Sequence, residues 1–161
     1  MPERITVSAV DTSLGPMVLA TTSRGVAAVE RGTDLVAGLE RRFPGFEVLT
    51  GTGRHEAWLA AWAAGERRDA PPVDLRGLSP FDAAVYRAVR DIGWGETATY
   101  GEVAIMVGRP GAARAVGGAM GRCPLFPAVP CHRVVRAADG WSGWGGSDAL
   151  KRTLLAREVP G

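Results

Sequence analysis

Apolar and polar positions alternate at the start of the chain, with Ile5, Val7 and Ala9 separated by Thr6 and Ser8. That period of two predicts a strand. "SLGPM" (13–17) supplies Gly-Pro turn chemistry and "VLATT" (18–22) resumes extended character, so a hairpin or meander is expected. The period then lengthens. Leu35, Leu39 and Phe43 recur every four residues ahead of Pro44-Gly45, and Trp58 and Trp62 stand at i, i+4 ahead of Gly65, which predicts two short helices. The polar stretch "GERRDAPPVDLRG" (65–77) interrupts the pattern, and Pro71-Pro72 cannot continue a helix. The expected division is therefore an N-terminal domain over 1–72 and a C-terminal domain over 73–161.

The second half is more sharply punctuated. Ser79 has the chemistry of an N-cap and Pro80 suits the first helical position; Phe81, Val85, Ala88, Val89 and Ile92 then share one face, and Gly93 is a stop. Thr99 and Glu102 have capping-box spacing, so a helix should start with Tyr100 in its first turn and end near Gly108. A further helix, "GAARAVGGAMG", follows Pro110, and the pair predicts a helix-turn-helix. The fold class expected is α+β: a small N-terminal α/β scaffold followed by a mostly helical domain.

The last of these helices carries almost no side chains, being built of Ala112, Ala113, Ala115, Gly117, Gly118 and Ala119 around one long cation, Arg114. Glycine inside a helix costs about 1 kcal/mol against alanine, so something should approach this backbone closely. Two readings stand: tight helix packing in the core, or approach to a nucleic-acid groove. A helix this smooth lacks the long polar side chains that read base edges, so any nucleic acid would be bound without sequence preference.

Composition adds little direction. The chain has 161 residues with 19 Lys+Arg against 17 Asp+Glu, which permits nucleic-acid contact without demanding it. No charged-then-apolar leader opens the chain, and no apolar run approaches the roughly 20 residues that span a bilayer, so a soluble, cytoplasmic protein without a membrane partner is expected. Two cysteines, Cys123 and Cys131, make no disulfide framework, so each is expected reduced.

Cys131 stands in "AVPCHRVV" (128–135), between a proline that stiffens its approach and a histidine. Val134-Val135 favours a short strand. If the whole segment is extended, Cys131 and His132 point to opposite sides, and a water would have to link them. A thiol with an ordinary pKa of about 8.5 needs a base or positive potential to become a nucleophile, which His132 and Arg133 respectively offer. Core filler is the plainer reading of such a cysteine. Cys123, Cys131 and His132 lack the usual zinc-ligand spacings.

"PCHRVV", preceded by "TYGEVA" and "ARAVGGAM" and followed by "GWGG" and "LLARE", resembles the O6-alkylguanine-DNA alkyltransferase family over residues 75 to 158; "LGPMVLA" resembles its N-terminal strand more weakly. The resemblance implies an RNase H-like N-terminal scaffold, a winged-helix-like C-terminal domain and a protein that repairs DNA once. The helix-turn-helix would enter the minor groove, the lesion would be flipped into a pocket, and the cysteine would take the alkyl group irreversibly from guanine O6. In this chain Cys131 matches the acceptor, His132 its water-linked base and Glu158 the carboxylate that orients the histidine. Tyr100 matches the tyrosine that rotates the nucleotide and donates to the guanine, and Arg114 the residue that fills the vacated stack. The carbonyls of Cys131 and Val134 match those reading the guanine amino group, and Met120 a pocket-lining methionine. The implied partner is double-stranded DNA with O6-alkylguanine, bound by a monomer able to line up in several copies; no cofactor or metal is implied.

Three positions depart from the pattern. Cys123 replaces an asparagine that braces the turn, Trp144 a tyrosine of the following loop, and Gly145 a serine of some members, changes that bear on bracing, pocket size and alkyl preference. If the fold brings Cys123 and Cys131 together, they could oxidise reversibly. Two other function classes remain open at this stage: a lesion-recognition module without transfer, and a thiol acceptor for an alkylating metabolite outside DNA.

Overall fold

The computed structural model describes residues 2–32, 38–137 and 148–159. The chain separates into two compact units, one of residues 1–78 with 124–128 and the other of 79–123 with 129–161.

In the first unit, β1 (Arg4–Thr12), β2 (Gly15–Thr22) and β3 (Gly25–Arg31) form an antiparallel meander, and β4 (Glu47–Thr50) adds parallel to β1, giving the order β3-β2-β1-β4. The β1–β2 turn is set by local chemistry. Thr12 Oγ1 donates to the Gly15 carbonyl at 2.6 Å and accepts from Leu14 N at 3.1 Å, while Gly15 takes a φ of +95°. Ile5, Val7, Val18, Ala20, Ala27 and Ala28 pack with Leu39 and Phe43, which come from and just after α1 (Leu39–Arg42). The four-residue apolar repeat thus yields one short helical turn among the described residues; Leu35 lies outside them. The Trp58/Trp62 pair lies in α2 (Glu56–Ala63), where both indoles are buried.

The sequence placed the division after Pro72, whereas the first unit continues to Leu78. The physical reason is a set of backbone ties: Val26 N donates to Pro72 O and Asp74 N donates to Val26 O. Arg42 then clamps the carbonyls of Ala27, Asp74 and Arg76. Residues 124–128 join the same unit because Val29 N donates to Pro124 O at 2.8 Å and Phe126 meets Trp62 edge-on at 5.2 Å.

The second unit contains α3 (Pro80–Val89), β5 (Ala98–Thr99), α4 (Tyr100–Met106), α5 (Ala113–Arg122), a 3₁₀ turn at Cys131–Arg133, β6 (Val134–Val135) and α6 (Asp148–Glu158). Ser79 caps α3 by accepting from Asp82 N at 3.1 Å. Thr99 and Glu102 close a reciprocal capping box on α4, at 3.0 and 3.1 Å. Gly108, at φ +75°, turns the chain between α4 and α5. On α3 the buried face holds Val85 and Val89, with Tyr86 beside them, while Phe81 and Ala88 are half-buried. No helix among the described residues is long and apolar enough to cross a membrane.

Candidate active site

Pro130 enters with φ −78° and ψ 65°, which turns the chain out of extended geometry. Cys131 N donates to Val129 O, Arg133 N to Pro130 O and Val134 N to Cys131 O, so Cys131–Arg133 form a 3₁₀ turn. The expected extended conformation is corrected here. Strand geometry begins only at Val134, and Cys131 and His132 are both enclosed, each 1% exposed.

His132 Nε2 lies 2.7 Å from Glu158 Oε2. The same carboxylate accepts from Arg133 Nε at 2.7 Å and Nη2 at 3.0 Å, a fork geometry that also places Arg133 Nη1 on the Ile92 carbonyl. Arg133 is therefore committed to Glu158, not to the thiol it seemed from sequence to serve. α6 supplies a second tie: Lys151, 1% exposed, donates from Nζ to Val134 O at 2.7 Å. Neither the Arg133 fork nor Lys151 was singled out from sequence, because both depend on partners many residues away.

Protonation follows from these contacts. Burial pushes Glu158 up, but bonds from His132 and Arg133 outweigh it and hold the carboxyl at about 2. Burial pushes His132 below its ordinary value, so the imidazole is neutral at pH 7, with Nε2–H donating to Glu158 and Nδ1 as its basic nitrogen. Burial, reinforced by the neighbouring Cys123 thiol, pushes Cys131 well above an ordinary cysteine. The resting site is thus a thiol beside a neutral imidazole backed by a carboxylate.

The parallel pairing of β5 with β6, Ala98 opposite Val134 and Thr99 opposite Val135, sets the start of α4 beside the chain that leaves the cysteine turn. Tyr100, half-buried, is the first residue of α4 and so stands at that junction. Val134 is fully buried; its carbonyl accepts from Lys151, and that of Cys131 accepts from Val134 N. Each oxygen keeps a second lone pair. Met120 is buried near the end of α5, and Arg114 is exposed near its start. Trp144 and Gly145 lie outside the described residues.

The bare helix is α5. Its buried positions are Val116, Ala119 and Met120, and Tyr86 reaches it from α3, donating its hydroxyl to the Ala119 carbonyl at 2.7 Å. Among the described residues, a side-chain carbon at Gly117 or Gly121 would meet nothing within 4 Å. Tight internal packing is therefore not what these two glycines serve. No three His, Cys, Asp or Glu side chains converge as a metal-binding group among the described residues.

Residues 80–159 match the family described as 6-O-methylguanine DNA methyltransferase, DNA binding domain. A methylated-DNA–protein-cysteine methyltransferase of Mycolicibacterium paratuberculosis is 50% identical over 101 residues, which span 62% of this chain and 61% of that protein. The match thus takes in less than two thirds of that relative's length. The DNA base-flipping protein of Thermus thermophilus is 37% identical over 149 residues, 91% of this chain and 95% of its own. Among solved structures, Mycobacterium tuberculosis OGT in complex with DNA superposes with a TM-score of 0.77 at 34% identity, covering 97% of this chain and 96% of that one. A match to the DNA-binding half, joined to likeness over nearly the full length of both chains, means that this chain belongs to the O6-methylguanine-DNA methyltransferase family.

Proposed function

We propose that this protein repairs DNA by moving the alkyl group of O6-alkylguanine onto Cys131 in a single irreversible transfer. The observation that carries the reading is the buried run from Cys131 through His132 to Glu158, in the same unit as the open face of α5. Sγ attacks the alkyl carbon, an S–C bond forms and the C–O6 bond breaks with its electron pair going to the guanine. The thiol proton passes to His132 Nδ1 and is returned to the purine, which leaves as neutral guanine. Tyr100 donates its hydroxyl hydrogen bond to the base as negative charge develops. The product thioether has no ready leaving route, so each molecule acts once, without a cofactor.

DNA is bound through α5, whose bare surface admits the sugar-phosphate backbone and whose Arg114 takes the place of the flipped nucleotide. Met120 and Val134 line the pocket in this reading. The meander followed by a parallel fourth strand supports an RNase H-like scaffold for the N-terminal domain, and the α4–α5 pair with β5 and β6 supports a winged-helix-like C-terminal domain. The protein acts as a cytoplasmic monomer on duplex DNA of any sequence, with several copies able to assemble on it.

The test is intact-protein mass after mixing with duplex DNA carrying one O6-methylguanine, beside Cys131→Ala. One added methyl, mapped to Cys131 and absent from the variant, is expected. A second reading, lesion recognition without transfer, is favoured by the likeness to the Thermus base-flipping protein and by the elevated pKa of Cys131. Tight binding of the lesion duplex with no mass gain would establish that reading instead.

A further inference from the structure

Arg133 holds Glu158 through Nε and Nη2 and the Ile92 carbonyl through Nη1, so hydrogen bonds fix the edge of its guanidinium. Its face is covered separately. The guanidinium carbon lies 5.9 Å from the centroid of the Trp94 ring, and the arginine side chain is 12% exposed. A closed turn between α3 and β5 delivers that ring: Glu96 N donates to Gly93 O at 3.0 Å, and Gly93 N donates to Glu96 Oε1 at 2.7 Å. Gly95 takes φ +82° in the third position of the turn, and a side-chain carbon there would come 3.0 Å from Glu158 O. Its N–H lies 3.4 Å from Glu158 Oε1. The turn thus packs its backbone against the end of α6, and with glycine on either side Trp94 is the one side chain that 93–95 brings to the fork.

We propose that Trp94 is a positioning residue for alkyl transfer, its aromatic face keeping the Arg133 guanidinium in the plane that aims the Glu158 carboxylate at His132. The inference rests on the reading of Cys131 as alkyl acceptor and His132 as its base. A guanidinium is planar and weakly hydrated, and the negative face of an indole attracts it. Two nitrogens on one carboxylate define a plane; the ring keeps that plane from tilting and keeps water from competing for Nε and Nη2. Without the ring the carboxylate swings, the Nε2–H of His132 loses its aligned acceptor, and Nδ1 spends less time placed to take the thiol proton. Trp94 acts on the reacting atoms only through Arg133, Glu158 and His132. Its loss therefore slows transfer without weakening DNA binding.

The experiment follows single-turnover methyl transfer from duplex DNA carrying one O6-methylguanine to the full-length chain, over a range of concentrations that separates the saturating rate from the half-saturating concentration. Trp94→Ala should lower the saturating rate about tenfold, the scale of a desolvated cation–π contact, and leave the half-saturating concentration unchanged. Trp94→Phe, which keeps an aromatic face, should restore most of the rate, whereas Trp94→Leu, which fills space without one, should not. In an Arg133→Gln background Trp94→Ala should cost no more than about twofold, because the group it acts through is gone. Urea unfolding of each variant ensures that rates are read on folded protein. A native rate in Trp94→Ala, equal recovery by leucine and phenylalanine, the full loss in the Arg133→Gln background, or a loss confined to DNA affinity would overturn the proposal. Absence of transfer by the native protein is a different result: it removes the acceptor assignment, and the role of Trp94 falls with it.

Discussion

His132 Nε2 stands 2.7 Å from Glu158 Oε2 while Arg133 holds the same carboxylate through two nitrogens. One buried acid therefore fixes both the tautomer of the histidine and the position of the arginine that follows it. A carboxylate in that role orients a base; it does not itself take the proton.

Glu158→Gln should slow methyl transfer about 100-fold, the scale of general-base assistance. Removing one partner of the buried pair should also destabilise the protein by roughly 3 kcal/mol, because Arg133 loses its counter-charge. Single-turnover transfer and urea unfolding of the variant measure the two effects. An unchanged transfer rate would remove Glu158 from the mechanism.

Stability should fall on acidification in two stages. Both His132 and Glu158 have folded pKa values below their unfolded ones, so the unfolded chain binds protons first and the folded state loses ground as pH drops. The His132 contribution begins to fade near pH ~6.5, the ordinary imidazole value. That of Glu158, roughly 3 kcal/mol for a depression to about 2, fades between pH ~5 and about 2. Urea midpoints across this range should show both stages in the native protein and only the upper one in Glu158→Gln.

Cys131 should behave as a slow thiol towards small reagents. Its alkylation by iodoacetamide should rise steadily with pH and show no plateau below pH ~9, since burial and Cys123 hold the proton on. Fragment-ion sequencing of the one tryptic peptide that carries both cysteines assigns the label to Cys131 or to the half-buried Cys123. A plateau near neutrality would mean that the resting site holds a thiolate.

Gly117 offers a separation of stability from binding. Its position is helical and open, so Gly117→Ala should stabilise the fold by about 1 kcal/mol. Gly117→Leu should fold as well as the alanine variant but bind duplex DNA about tenfold more weakly if this face meets the backbone. Fluorescence anisotropy with unmodified duplex measures the loss; equal affinity for all three proteins would place the DNA elsewhere.

Features set by near neighbours were readable from the chain. The Ser79 cap and the Thr99–Glu102 box depend on residues three apart, and both form as expected. β4 was missed: four exposed residues carry no alternation, and its pairing with β1 is a long-range event. Tyr86 was left out of the core face because its phenol needs the Ala119 carbonyl, 33 residues on, to be buried at low cost. The valine pair correctly announced a strand at 134–135 but drew the cysteine into it, whereas the ψ of Pro130 makes a turn first. The Cys131, His132 and Glu158 set was legible through its resemblance to a family; the Arg133 fork, joining positions 25 apart, was not.

Lys151 and Glu158 stand seven residues apart on α6, close to two full turns, with buried Leu154 between them. One reaches the chain just after the cysteine turn and the other reaches the turn itself. The helix thus works as a ruler: inserting or deleting one residue between them would swing one tie about 100° away while the other stayed in place. A relative that keeps every residue type but alters this interval should therefore be unable to hold the turn at both points, and the interval is a more stringent signature than either residue.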